Sequence, residues 1–263
     1  MRYLTKRNRA ILREMVSTDF KVRYQGSALG YLWSLLRPIF MFAVLYVVFV
    51  YIFKLNKGIP HYPVYLFLGI VLWNFFQETT MIGMSSVVAR GDLIRKISIP
   101  RYLVVLSSSA SALINLALNL LVVLFFALAN GVHPELSWLW LIPLAAELFI
   151  FASAVAFFLA ALFVKFRDVS YIWEVFMQAA FYGTPILYSM SLVPVQYQKW
   201  LLLNPMAQII QDVRYAVVTK TTVTAWTTQR LRYALVPILL IIIVTIASTI
   251  YFKKQSKYFA ENI

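Results

Sequence analysis

The chain has 263 residues, of which 62% are hydrophobic and only 13% charged, with a formal net charge of +14 and no cysteine. A soluble domain carries roughly twice that charged fraction, so composition excludes an ordinary soluble enzyme and indicates a polytopic membrane protein. Disulfides and thiolate metal sites are excluded too, and the first 37 residues, with eight Lys or Arg and no early apolar stretch, read as no cleavable signal peptide.

In chain order, the first predicted element covers 4–20. Leu4, Ile11, Leu12, Met15 and Val16 share one helical face, while Arg7, Arg9, Arg13 and Glu14 lie mostly elsewhere. Such a basic amphipathic helix suits the surface of the inner leaflet. Six apolar segments follow, at 33–53, 63–83, 102–130, 138–163, 170–190 and 234–252. Each can cross a hydrocarbon core of roughly 30 Å at about 1.5 Å per helical residue. Arg37-Pro38 interrupts the first near its start, where proline is tolerated and arginine can snorkel.

Six spans place both termini on one side. With the termini inside, the inner segments hold 17 Lys or Arg and the outer loops 7. This positive-inside bias accounts for most of the net charge without a nucleic-acid partner. It also puts "RGDLIRKISIPR" (90–101) in the cytoplasm, which excludes an extracellular adhesion role for Arg90-Gly91-Asp92. Apolar residues are spaced among its charges: Leu93, Ile94 and Ile97 suit a pocket on a partner, and the charges suit its rim. Asp92 is placed to cap a short helix through Leu93–Lys96, and Pro100 to stop it.

Two later stretches are not simple spans. "FYGTPIL" (181–187) carries Gly183 and Pro185, both unfavourable inside a helix. "KWLLLNPMAQII" (199–210) has two short apolar pieces split at Asn204-Pro205, which predicts an outer-leaflet re-entrant hairpin; the alternative is a short helical cap. At membrane depth, Glu174, Gln178, Phe181, Pro185 and Tyr188 form one stripe, and Tyr65, Gly69, Trp73, Phe76 and Thr80 another. Their aromatic members read either as the lining of a conduit for a sugar-like substrate or as packing and interface-belt residues. Ser108, Ser111, Asn115 and Asn119 read as hydrogen-bonding glue between helices, and Ala152, Ala156 and Ala160 as a close-packing face. No Walker A loop, metal-ligand spacing or nucleophile elbow is present, so the chain is not expected to be an enzyme or to bind a metal or cofactor itself.

Three blocks carry a family resemblance. "FKVRYQGSALGYLWSLLRPI" (20–39) resembles the N-terminal signature of type-2 ABC exporter permeases for polysaccharides, with Arg23, Tyr24, Ser27, Leu29, Gly30, Trp33 and Pro38 at the matching positions. In that pattern the proline opens the first span. "DLIRKISIPRYLVVLSSS" (92–109) resembles the family's segment between spans two and three, and "LNPMAQIIQDVRYAVV" (203–218) its outer re-entrant segment, matched at Asn204, Pro205 and Arg214.

The resemblance implies an all-α polytopic fold: six transmembrane helices, an N-terminal interfacial helix, a cytoplasmic coupling helix and an outer re-entrant hairpin. It would form one permease domain over 1–263, with 1–32 interfacial, 33–252 the spans and 253–263 a cytoplasmic tail. It further implies a homodimer in the cytoplasmic membrane that pairs with two nucleotide-binding ATPase subunits. ATP and magnesium would be bound there, and the cargo would be a lipid-linked O-antigen, capsular polysaccharide or teichoic acid. Asp92, Leu93, Ile94, Arg95, Lys96, Pro100 and Arg101 would couple to the ATPase, with Arg167 in a second contact loop. Candidate conduit residues are Tyr65, Trp73, Phe76, Glu174, Gln178, Phe181 and Tyr188. The alternatives are an exporter of a drug or small lipid and a carrier driven by an ion gradient. The second is weakened by His61 and His133 falling in outer loops and by the lack of Lys or Arg in mid-span.

Overall fold

A helical stretch that is apolar around its whole circumference must be covered on every side, and residues 62–73, the first half of the helix Tyr62–Ala89, form such a stretch. In a computed structural model of the chain, which describes residues 5–24, 30, 32–54, 58–96, 99–228 and 234–259, it runs through the middle of the molecule. The described elements are all helical: α1 (Lys6–Tyr24), α2 (Leu32–Tyr46), α3 (Tyr62–Ala89), α4 (Gly91–Lys96), α5 (Tyr102–Ala129), α6 (Leu141–Lys165), α7 (Val169–Gly183), α8 (Val195–Leu201), α9 (Pro205–Val217), α10 (Ala225–Thr228) and α11 (Val236–Gln255). α2 continues as a π-helical turn over Val47–Ile52, and a 3₁₀ turn over Leu136–Trp140 leads into α6.

Four helical segments are long and apolar enough to cross a membrane: Leu32–Ile52, Tyr102–Ala129, Leu136–Lys165 and Val236–Tyr258. α3, with 28 residues and a length of about 42 Å, is also long enough. It packs against α5 and α6, and all of Val64, Leu68 and Leu72 are fully enclosed. The predicted small-residue face of α6 meets it: Ala152, Ala156 and Ala160 are buried, and a Cβ at Gly83 would stand 2.7 Å from the Ala156 Cβ. The two backbones approach this closely because neither carries bulk there.

Two sequence expectations change. Pro38 does not open the first span, because α2 begins at Leu32 and encloses the proline. A proline inside a helix leaves the carbonyl four residues earlier without its donor. Here the Asn119 Nδ2 of α5 donates to the Ser34 carbonyl at 3.3 Å, so a neighbouring helix supplies the missing bond. The fifth apolar segment is helical only to Gly183, not to 190; Pro185 has no N–H to continue the ladder. The N-terminal helix, expected as an interfacial segment, packs its apolar face on the bundle. Ile11, Leu12 and Met15 pack into a cluster with Ile94, Leu103, Val104, Val164, Phe252 and Phe259. Both ends of the described chain therefore meet in one apolar cluster at one end of the bundle.

Candidate functional site

At that basic end, α1 is fastened by polar contacts as well. Arg90 pairs with Asp19 and donates to the Ser107 Oγ at 2.8 Å, and the Asn8 Nδ2 donates to the Tyr102 hydroxyl at 3.0 Å. Neither Arg90 nor Asp19 was among the sequence candidates; the signal available was one of only two acids on a strongly basic helix. Gly30 adopts φ +47, the left-handed region glycine enters without steric cost, and its carbonyl accepts from the Trp33 N–H at 3.4 Å as the chain turns into α2. Arg23 and Tyr24 close α1. Their side chains, and Ser27 and Leu29 altogether, lie outside the described residues.

α4 is the short helix expected between the second and third spans. It begins at Gly91, so Asp92 sits in its first turn and does not cap it from outside; its charge still complements the helix dipole there. Ile94 is 9% exposed and packs within the chain's own apolar cluster. Leu93 is half-buried, while Asp92 and Arg95 are exposed. The side chain of Lys96, and Ile97 altogether, lie outside the described residues. Pro100 and Arg101 precede α5, and the Arg101 guanidinium donates to the Ser256 carbonyl beyond α11. Arg167 is exposed in the α6–α7 loop, its guanidinium 5.1 Å from the Phe163 ring centroid.

At the opposite end the chain after α7 is held by one buried cation. Residues 184–187 are buried, and their backbone cannot form a helix ladder past Pro185. Arg214 of α9, fully enclosed, supplies the donors. Its Nη1 donates to the Pro185 carbonyl at 2.5 Å, its Nη2 to the Ile186 carbonyl at 2.6 Å, and its Nε to the Tyr65 carbonyl at 3.0 Å. The guanidinium also lies 3.5 Å from the Tyr65 ring centroid, a cation–π contact. Gly69 leaves room for it, since a Cβ there would come within 2.5 Å of the Arg214 Nη2. Asn204 caps α9 by accepting from the Met206 N–H at 3.0 Å, and Pro205 occupies the first helical turn. The break at Asn204-Pro205 thus separates α8 from α9. Nearby, the Glu135 carboxyl is held below its ordinary value by hydrogen bonds from Lys220 and Ser137, which tie the α5–α6 connection to the loop after α9.

The two predicted aromatic stripes have different fates. Tyr65, Trp73 and Phe76 are buried. Trp73 packs edge-on against Phe181 with centroids 5.9 Å apart, Phe76 stacks on Phe151 at 5.3 Å, and Tyr65 lies under Arg214. They are packing residues of the central helix. On α7, by contrast, Glu174 and Gln178 are exposed, as are Tyr171, Val175 and Tyr182, and Phe181 is half-exposed; Tyr188, beyond the end of α7, is half-exposed too. Trp173 is the hinge to the core, its indole N–H donating to the Thr80 hydroxyl at 3.1 Å. α2 presents a comparable open face through Phe40, Val44 and Tyr51. Between α2, α3 and α5 lies a cleft of about 490 Å³ whose lining includes Trp33, Arg37, Gln77 and Glu78. The Asn115 Nδ2 donates to the Glu78 Oε1 at 2.9 Å and Asn119 bridges to α2, so the two asparagines of the polar stripe join helices, whereas Ser108 and Ser111 donate back to carbonyls of α5 itself.

The pattern of the family described as ABC-2 type transporter matches residues 12–218. The chain is similar to an O-antigen export system permease protein RfbA of Klebsiella pneumoniae, 32% identical over 252 residues, which is 94% of this chain and 92% of the relative. It is also similar to an RfbA of Myxococcus xanthus, 31% identical over 77% of this chain and 78% of that protein. A polysialic acid transport protein KpsM of Escherichia coli shares 21% identity over 76% of this chain and 78% of its own.

Proposed function

The chain belongs to the ABC-2 type transporter family, and from that premise we propose that it is the permease subunit of an ATP-driven exporter of a lipid-linked polysaccharide. The observation that carries this reading is the 32% identity over 94% of the chain to an O-antigen export permease. The chain would lie in the cytoplasmic membrane with both termini inside, crossing it six times, the fifth crossing being the broken helix α7 and α8–α9 the outer re-entrant hairpin. The lysine and arginine bias, 17 against 7, supports that orientation.

Two copies would face each other across α2 and α7, whose apolar and polar side chains are open in the single chain. Glu174, Gln178, Phe181 and Tyr188 would line the path between them. Aromatic faces and amide or carboxylate groups suit a sugar chain, which offers both C–H faces and hydroxyls. ATP and magnesium would be bound by two separate ATPase subunits, docked where α4 and the α6–α7 loop meet at the basic end. Since Ile94 is turned inward, the contact would be made by the exposed Asp92 and Arg95 together with Arg167.

Arg95→Glu reverses a rim charge without touching the apolar cluster. It is expected to lower recovery of the ATPase with the purified permease by about tenfold, while the permease still inserts and purifies. Undiminished co-purification would remove α4 as the contact. Ile94→Asp, in contrast, is expected to unfold the basic end of the chain itself, because it buries a charge without a partner.

A further inference from the structure

We infer that the groove between α5 and α11 at the basic end is a binding site for one anionic phospholipid of the surrounding leaflet. α5 and α11 both pack on α6, and between them lies a groove of about 760 Å³. Ile99, Leu106, Phe157 and Phe252 make it apolar, with Phe157 and Phe252 packed edge to face, centroids 4.9 Å apart. Arg101 and Lys253 also line it, and among the described residues no acidic side chain does. That volume is of the size that encloses an elongated small molecule.

The placement of charge and oil along the helices selects the occupant. Arg101 immediately precedes α5 and Lys253 lies in the last turn of α11, so both cations stand where helices that cross a bilayer meet its headgroups. Leu106 and Thr249 lie about 6–8 Å deeper along the same two helices, at the level of the first acyl carbons. The Arg101 guanidinium is anchored by the Ser256 carbonyl, which joins the two helix ends beside the groove and fixes one cation in place. A phosphate with a net negative charge fits between Arg101 and Lys253, and its acyl chain fits the apolar wall below. A zwitterionic headgroup would bring an ammonium into the same cationic mouth and be disfavoured. Ile94 of α4 lines this groove, so a lipid held there would touch the helix proposed to meet the ATPase.

The test uses the full chain with its partner subunits in nanodiscs of equal phosphatidylcholine and phosphatidylglycerol, followed by native mass spectrometry of the retained lipid. The wild type is expected to keep phosphatidylglycerol in preference to phosphatidylcholine. Lys253→Glu, at an exposed position, is expected to reduce that preference by about tenfold. Leu106→Trp, which fills the groove without changing charge, is expected to reduce retention as well, and Lys199→Glu on α8 is expected to leave it unchanged. Thermal melting of each variant separates loss of lipid from loss of fold. Equal retention of the two lipids by the wild type would overturn the inference. So would a folded Lys253→Glu protein that keeps the wild-type preference.

Discussion

Arg214→Met is expected to cost the protein about 3–5 kcal/mol and to abolish recovery of folded permease from membranes. Methionine fills much of the same space, so the loss is one of hydrogen bonds, not of volume. Without the guanidinium, the carbonyls of Pro185 and Ile186 lose their donor inside a region closed to water, and the helical carbonyl of Tyr65 loses a second one. Arg214→Lys keeps the charge but replaces a planar fork by a single ammonium, which cannot reach carbonyls on two chain segments and stack on Tyr65 together. It is expected to fall between the wild type and Arg214→Met in melting temperature in detergent. A wild-type melting temperature for Arg214→Met would show that the chain after α7 is held by something else.

Gly83→Val should show the second large effect. The new Cβ would meet the Ala156 Cβ at 2.7 Å, and both helix backbones would have to part. Overpacking of this kind costs about 1–3 kcal/mol, against a helix-propensity gain of only a few tenths of a kcal/mol on replacing glycine. Ala156→Gly removes the atom that clashes, so the double variant is expected to recover a measurable part of the loss. Melting curves of the two single variants and the double variant close the cycle. Equal destabilisation in the single and double variants would place the strain elsewhere.

The parts of this structure that were legible in the sequence are those governed by local rules. Apolar run lengths gave the candidate crossings, the amphipathic pattern gave α1, and Asn204-Pro205 gave the break between α8 and α9. The family resemblance rested on three short blocks, and the match over residues 12–218 bears it out. The parts that were not legible depend on partners far away in the chain. Arg214 stood out only through the family resemblance; its structural role was not legible, because its acceptors are backbone carbonyls and leave no mark in the sequence. The stripe of Tyr65, Trp73 and Phe76 suggested a lining, yet that face of α3 is covered, so the same spacing serves packing. Ile94 has the pattern of a docking residue, but α1 and the end of α11 cover it with apolar groups first. Pro38 looked like a helix opener because nothing local announces that Asn119 satisfies the Ser34 carbonyl.

The central claim is that this chain moves a lipid-linked polysaccharide only when a partner hydrolyses ATP. Reconstitution of the purified permease into liposomes, with and without its ATPase, measures this directly. Labelled lipid-linked polymer on one face should appear on the other when both subunits and ATP with magnesium are present. It should stay in place when the ATPase is omitted or ATP is replaced by a non-hydrolysable analogue. Transport by the permease alone, driven by an ion gradient, would contradict the account.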